Sequence, residues 1–126
     1  MTDRPKMTVV STVLDSPDPP ALAEFYHRLL GWPYGDREPG WVTLRPPGSI
    51  GLSFQLEERY RRPVWPSTED EQQMSLHLDI RVEDLDAAVA YALSLGAELA
   101  GFQPQEGVRV CLDPDGHPFC FFLPGY

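Results

Sequence analysis

Two polar side chains, His77 and Asp79, stand two positions apart in the segment MSLHLDIRV and could do chemistry together. Polar and apolar residues alternate in this segment, which predicts a strand, and residues i and i+2 of a strand share a face. An aspartate beside an imidazole can fix its tautomer and raise its pKa, as a general base or a cation-binding site requires. The alternatives are a structural buried pair and an Asp79 that caps the neighbouring helix.

A thiol, Cys120, lies on the aromatic segment PFCFFL that follows the turn DPDG. It could be a metal ligand, a nucleophile or a packing residue, and we favour packing. Cys111 lies on the other side of the same turn, so a disulfide is conceivable. Two cysteines do not make a disulfide framework, however, and we expect reduced thiols in a cytosolic protein.

The turn itself carries several polar residues to which we assign no catalytic role. The side chains of Asp113 and Asp115 are expected to cap local amides, and Gly116 to take the positive φ of the turn. His117, directly after the turn, is expected to be exposed.

Two sets of elements must position these residues. A β-branched strand over Met7–Asp15 precedes a helix, which Asp18 caps before Pro19 and which Gly31 ends. GWVTLRP and IGLSFQLEE predict two strands, with a weaker one around residues 32–35. The polar, proline-containing segment 58–73 predicts a linker or flexible loop. A strand, a helix (EDLDAAVAYALSLG) and three further strands follow.

The order β-α-β-β-β therefore occurs twice, and the two halves also repeat in sequence. LRPPGSIGLSF (Leu44–Phe54) aligns without gaps on LDPDGHPFCFF (Leu112–Phe122). We predict a single α+β domain over residues 1–126, with module one at about 7–57, the linker at 58–73 and module two at about 74–124. At 126 residues, the chain is too short for two independent cores.

Charge and hydropathy exclude two classes of partner. The net charge of −9 makes the protein unsuited to nucleic acid, because a polyanionic surface repels phosphates, but it suits a cationic small molecule. No apolar run is long enough to span a membrane, and the first residues do not resemble a signal peptide, so we expect a cytoplasmic protein.

Three motifs, FYHRLLGW, HLDIRVEDLDAA and DPDGHPF, occur in this order and resemble the vicinal oxygen chelate superfamily of glyoxalases, bleomycin-resistance proteins and extradiol dioxygenases. The similarity covers nearly the whole chain and is closest to small glyoxalase-like proteins of actinobacteria. It implies paired βαβββ modules whose mixed sheets curve around a shared cavity, usually within a homodimer.

The resemblance also implies where a metal would bind, on the first and last strands of each module. In module two, these positions are His77 and Cys120. In module one, they are Ser11 and, by the gapless alignment, Leu52, although a register shift would bring Phe54 or Gln55 there instead. Only His77 is a standard ligand, and a catalytic divalent ion needs about three protein ligands.

We therefore expect no metal and no other cofactor; a divalent ion, if bound, would use His77, Gln55 and Cys120. The expected function is metal-free binding of a small organic ligand, cationic or aromatic, of the resistance or sequestration type. The alternative is a lyase, isomerase or dioxygenase of the same superfamily that uses a metal or acid–base catalysis by His77 and Asp79. We expect these residues to line the cavity: Ser11, Trp41, Phe54, His77, Asp79, Cys120 and Phe122. Trp65 lies in the linker, which could be a lid or an interface arm.

Overall fold

The computed structural model describes residues 4–125, which form two helices and eight strands. In chain order the elements are β1 (Ser11–Ser16), α1 (Pro19–Leu30), β2 (Tyr34–Glu38), β3 (Trp41–Leu44), β4 (Gly51–Leu56), β5 (Leu78–Arg81), α2 (Leu85–Ser94), β6 (Glu98–Leu99), β7 (Val108–Leu112) and β8 (Pro118–Phe122).

Each half of the chain forms its own four-stranded sheet. The strand orders are β1-β4-β3-β2 and β5-β8-β7-β6. In each sheet the first strand pairs in parallel with the last, and the other pairs are antiparallel. The predicted α+β fold with two tandem βαβββ modules is confirmed.

Several strands are shorter than predicted because their partner strands end. β1 begins at Ser11, opposite Gly51, the first residue of β4, so the predicted strand from Met7 is wrong at its start. Likewise β5 begins only at Leu78, so His77 directly precedes the strand.

Local capping chemistry sets the helix ends as the sequence predicts. The Asp18 carboxylate accepts a hydrogen bond from the Ala21 amide, and Pro19 opens α1. Gly31 ends α1 with a φ of 71°, in the left-handed region that favours glycine. In residues 4–125 we find no helix with the length and apolar character needed to cross a membrane.

The hydrophobic core includes residues of both modules. Tyr26 of α1 stacks on Phe54 of β4 with ring centroids 5.7 Å apart, and its ring edge also meets Phe119 of β8 at 6.2 Å. Phe25 approaches Phe119 at 6.0 Å. Because α1 contacts both sheets, the modules are packed together through their helix-facing sides. The opposite sheet faces carry exposed side chains such as Asp15 and Asp79, although Ser53 and Val110 on them are buried.

The predicted linker, residues 58–73, forms neither helix nor strand, and the irregular segment continues to His77. Module two nevertheless holds it at several points. Trp65 stacks on Phe102 at 5.5 Å, and Arg62 lies 3.8 Å from the Glu98 carboxylate. These contacts hold the linker against module two.

Candidate functional site

The open face of the second sheet brings three sequence-predicted residues together. His77 Nε2 lies 3.1 Å from Asp79 Oδ1. The Cys120 sulfur is close to both, so that one ligand atom from each of the three residues lies within 4.8 Å of the other two. Asp79 and Cys120 are cross-strand partners in β5 and β8, which places their side chains on one face. We call this surface face two; its residues are His77, Asp79, Arg81, Val110, Cys120 and Phe122.

Face two is polar and accessible at the imidazole and carboxylate but less so at the thiol. The Asp79 side chain is 63% exposed and the His77 side chain 36%. Burial, with a smaller contribution from the Asp79 charge, raises the pKa of the Cys120 thiol above its ordinary value. Cys120 is therefore a neutral thiol near pH 7, so it is not an activated nucleophile.

The two cysteines are free thiols on opposite faces of the second sheet. Cys120 pairs with Val110, whereas Cys111 pairs with Phe119 in the core. Successive strand residues point to opposite faces, so the two sulfurs cannot meet. The expectation of reduced thiols rather than a disulfide agrees with this geometry.

The corresponding positions of module one are two serines. In the parallel strand pairs, Val13 is opposite Ser53 as Asp79 is opposite Cys120, so Ser53 takes the place of Cys120. Two residues earlier, Ser11 takes the place of His77. The two hydroxyl oxygens of this serine pair lie 2.6 Å apart. Module one therefore offers two hydroxyls, bonded to each other, where the resemblance implies metal ligands.

The gapless alignment of the two halves is thus wrong by one residue. The alignment makes Leu52 the equivalent of Cys120, yet Leu52 is buried on the helix side of its sheet. A shift to Phe54 is wrong for the same reason: Phe54 is fully buried against Tyr26 and does not line an open face. Gln55 is exposed but lies two positions beyond Ser53 on the same side.

The remaining predicted cavity residues lie on the open faces. Trp41 is opposite Gln55, which is opposite Asp15, so these three side chains form one row of the first sheet. We call this surface face one; its residues are Ser11, Val13, Asp15, Trp41, Thr43, Ser53 and Gln55. On face two, Phe122 follows Cys120 by two positions and is partly exposed.

Face one and face two belong to two separate sheets and do not form one continuous surface. In the part of the chain described, no strand of the first sheet hydrogen bonds to a strand of the second. A cavity of about 450 Å³ lies instead beside the end of β1, under the linker, and none of its lining residues is His77, Asp79 or Cys120.

His117 is a functional candidate that the sequence reasoning missed, because we expected an exposed turn residue. Its side chain is 13% exposed, and its Nδ1 lies 2.8 Å from the fully buried Asp113 carboxylate. Asp113 also accepts hydrogen bonds from the Tyr26 hydroxyl and from the Asp115 amide. The expected capping by Asp113 is confirmed, and Gly116 has the expected positive φ. The sequence signal that could have pointed to burial is the strand-opening Pro118 directly after His117.

Asp115 connects the same turn to the end of β1. The Ser16 hydroxyl donates to its carboxylate at 2.6 Å, and the Asp18 amide donates to the Ser16 oxygen. Burial raises the pKa of Asp115, although the Ser16 hydrogen bond partly opposes this. The β7–β8 turn is thereby fixed against both β1 and α1.

The chemistry of the side chains decides whether this chain could hold a metal at the site that the resemblance implies. Neutral serine hydroxyls are poor ligands for catalytic divalent ions, which take His, Cys and carboxylate. A ligand set that spans both modules therefore does not fit this chain. Among residues 4–125, the group of His77, Asp79 and Cys120 offers three donors within module two; compared with the predicted set, Asp79 takes the place of Gln55.

Comparison with known proteins agrees with this architecture. The sequence model of a glyoxalase-like domain matches residues 11–122. No curated protein matches the sequence significantly. A glyoxalase/bleomycin resistance protein/dioxygenase family enzyme from Burkholderia phytofirmans PsJN has a similar structure, with a TM-score of 0.70 at 20% identity, over 93% of this chain and 98% of that one.

Two further solved structures share the fold. One is a glyoxalase-related enzyme from Fulvimarina pelagi, with a TM-score of 0.67 at 21% identity, over 94% of this chain and 88% of that one. The other is TnmS3, an antibiotic binding protein from Streptomyces sp. CB03234, with a TM-score of 0.61 at 22% identity, over 98% and 100%. Identities this low establish the fold alone. With the family match over most of its length, the chain belongs to the glyoxalase-like domain family of the vicinal oxygen chelate superfamily.

Proposed function

We propose that this chain is a metal-free binding protein that sequesters a small organic molecule. The observation that carries the proposal is the hydrogen-bonded pair of Ser11 and Ser53, at the positions where module two has His77 and Cys120. Because the two serines remove module one from any metal site that spans both modules, the open faces are left to bind a ligand directly. TnmS3, which shares the fold, is an antibiotic binding protein, and this supports a binding role.

The side chains of the open faces favour a cationic, aromatic ligand. Asp79 and His77 on face two offer an exposed carboxylate and an imidazole, and Phe122 offers an aromatic surface. Trp41 on face one offers a second aromatic surface beside Asp15. Aromatic rings attract cations over their faces, and the net charge of −9 draws cations towards the protein.

We further propose that the binding unit is a homodimer in the cytoplasm. Apolar side chains lie exposed along the edge of face one, with Val9 at 70%, Val10 at 69% and Val13 at 41% exposure. An exposed apolar group of this kind is typical of an interface. In such a dimer, face one of one copy would lie opposite face two of its partner, and the ligand would be held between them. The free thiols are consistent with a reducing compartment.

The test is a thermal-shift and calorimetric screen of cationic aromatic compounds against their uncharged isosteres. We expect a hit to stabilise the protein, and Asp79→Asn or Trp41→Ala to weaken its binding about tenfold. Glu83→Gln, which removes another exposed carboxylate, is the matched control and should bind normally. No stabilisation by any compound, or equal loss in the control, would refute the proposal.

A second candidate function, metal-assisted or acid–base catalysis, is favoured by the group of His77, Asp79 and Cys120. A thiolate, an imidazole and a carboxylate suit zinc or a similar ion. Metal analysis of protein purified without an affinity tag separates the two candidates. Near-stoichiometric metal that is lost in both His77→Ala and Cys120→Ser would replace the metal-free proposal, and a metal-free protein with turnover lost in His77→Ala would favour acid–base catalysis.

A further inference from the structure

The His117 ring lies between the β7–β8 turn and the linker, and it contacts both. Nδ1 faces the Asp113 carboxylate, at 3.0 Å from Oδ1 and 2.8 Å from Oδ2. Nε2 faces the Tyr60 hydroxyl oxygen of the linker, at 3.3 Å. The ring is thus one of the groups that join the linker to the turn.

The hydrogen-bond partners favour a proton on both ring nitrogens. The Asp113 carboxylate accepts from the Tyr26 hydroxyl and from the amides of Asp115 and His117, and Nδ1 lies where it can donate to the same carboxylate. The single Tyr60 hydroxyl hydrogen points at the Asp115 carbonyl oxygen, 2.7 Å away. The Tyr60 oxygen is then placed to accept from Nε2, an arrangement that suits a ring with a proton on each nitrogen and a positive charge.

The charges around the ring agree with this assignment. Burial lowers the pKa of His117, but the hydrogen bond and charge of Asp113, with the charge of Asp115 and the backbone of Asp15, outweigh it and raise the pKa. The ionisable groups near the ring and its partners are Asp113 and Asp115 on its own turn, Asp15 on β1, Asp18 and Tyr26 at α1, and Tyr60 and Arg62 on the linker. Glu57, Arg59 and Arg61 of the linker line the same cavity.

The linker passes over a cavity with this ring in its wall. The cavity has a volume of about 450 Å³ and is lined by both passes of the linker, residues 57–63 and 72–76, by the end of β1 and by His117. The first pass is attached to module two through Tyr60 and Arg62, the latter donating to the Pro114 carbonyl. The two passes are joined by one hydrogen bond, from the Val64 amide to Gln72.

The second pass ends in a strained turn. Ser75 has a φ of 60°, in the left-handed region, and the Leu76 amide donates to the Met74 carbonyl across it at 2.6 Å. Three-residue turns of positive φ are rare and strained. A strap with a strained end will relax when its other attachment is released.

We propose that the linker is a strap that partly covers this cavity and that the charged His117 ring is its clasp. With the ring charged, Tyr60 bonds both the ring and the Asp115 carbonyl, and the strap is closed. With the ring neutral, Nε2 presents a lone pair to the Tyr60 oxygen, so the hydroxyl keeps only one of its two partners. The strap then detaches more often, and the partly open cavity beneath it widens. The inference does not depend on what binds at face one or face two.

Strap opening can be measured by the hydrogen-exchange protection factors of the Tyr60 and Val64 amides. A protection factor is the intrinsic exchange rate of an amide divided by its observed rate, so it corrects for the effect of pH on exchange itself. We expect the protection of both amides to fall about fivefold between pH 6 and 8.5, as loss of one net hydrogen bond implies. In Tyr60→Phe, protection should already be low at pH 6 and nearly independent of pH. His117→Asn should behave in the same way, and protection of the Phe54 amide in the core monitors global unfolding.

Tyr91→Phe is the matched control, because the Tyr91 hydroxyl also joins the modules by donating to a carbonyl, that of Arg28, without a titrating partner. It should keep the pH dependence of the unmodified protein. Protection that does not change with pH in the unmodified protein, or a pH dependence that survives in Tyr60→Phe, would overturn the proposal. If His117→Asn fails to fold, Tyr60→Phe and the nitrogen-15 spectrum of the His117 ring, which distinguishes the charged from the neutral form, still decide it.

Discussion

Ser11 Oγ lies 2.6 Å from Ser53 Oγ, and this pair occupies in module one the places that His77 and Cys120 occupy in module two. The two modules therefore keep the same backbone pairing but differ in the chemistry of the equivalent side chains. One module carries an imidazole, a thiol and the nearby Asp79, and the other carries hydroxyls that satisfy each other. Any chemistry that the chain performs with charged or ligating groups at these positions has to come from face two.

The serine pair makes a prediction about stability. Ser53 is only 2% exposed, so Ser11→Ala would leave its hydroxyl buried without this partner and should lower the free energy of unfolding by about 1–3 kcal/mol. The double variant Ser11→Ala/Ser53→Ala should lose less than the two single changes together, because it leaves no unpaired group. Urea denaturation of the four proteins measures the coupling. Additive losses would show that the hydroxyls are not bonded to each other.

The buried hydroxyl of Tyr26 gives a second prediction. It donates to the Asp113 carboxylate at 2.8 Å, and both groups are buried. Tyr26→Phe should therefore lower the free energy of unfolding by about 1.5–3 kcal/mol, the range for hydrogen bonds to charged groups. Tyr91→Phe removes an exposed hydroxyl bond and should cost less than about 1 kcal/mol. Chemical denaturation measures both, and equal losses would contradict the special role of Asp113.

The contribution of His117 to stability should depend on pH in a defined direction. Its pKa is raised in the folded protein, so the folded state holds the proton more tightly than the unfolded state. The stabilisation is then fully present below about pH 6.5, the ordinary value, and is lost as pH rises through the folded pKa. The difference in unfolding free energy between the unmodified protein and His117→Asn should shrink from pH 6 to pH 9. A difference that grows with pH would reverse the assignment of the charged ring.

Local patterns in the sequence determined much of the fold. The helix cap at Asp18 and the left-handed Gly31 depend on neighbouring residues alone, and both were predicted. The repeat of βαβββ also followed from element order. The pairing of His77 with Asp79 was predicted because the period of a strand is local.

Features set by distant contacts were not predicted. Leu, Pro, Gly and Phe recur at the same spacing in both hairpins, so the gapless alignment makes Leu52 the equivalent of Cys120. Relative to these four residues, however, the strand pairing differs by one residue between the two sheets, and Ser53 is the residue that occupies the position of Cys120. The burial of His117 depends on Asp113, which in turn is held by Tyr26, 87 positions earlier. Only the packing of α1 against the β7–β8 turn brings these groups together.

The two thiols should differ in reactivity for a structural reason. Burial, with a smaller contribution from Cys120, raises the pKa of Cys111 to about 11, and its side chain is fully buried, so it should not react in the native state. Cys120 is partly exposed, but burial and the charge of Asp79 raise its pKa, so it should react with a disulfide reagent more slowly at pH 7 than a free thiol does. Asp79→Asn removes that charge and should speed the reaction, whereas Glu83→Gln should not. The test is the rate of thiol modification against pH, with Cys120→Ser to assign the signal. A rate that is insensitive to Asp79→Asn would show that the carboxylate does not act on the thiol, and it would weaken the case for face two as one connected site.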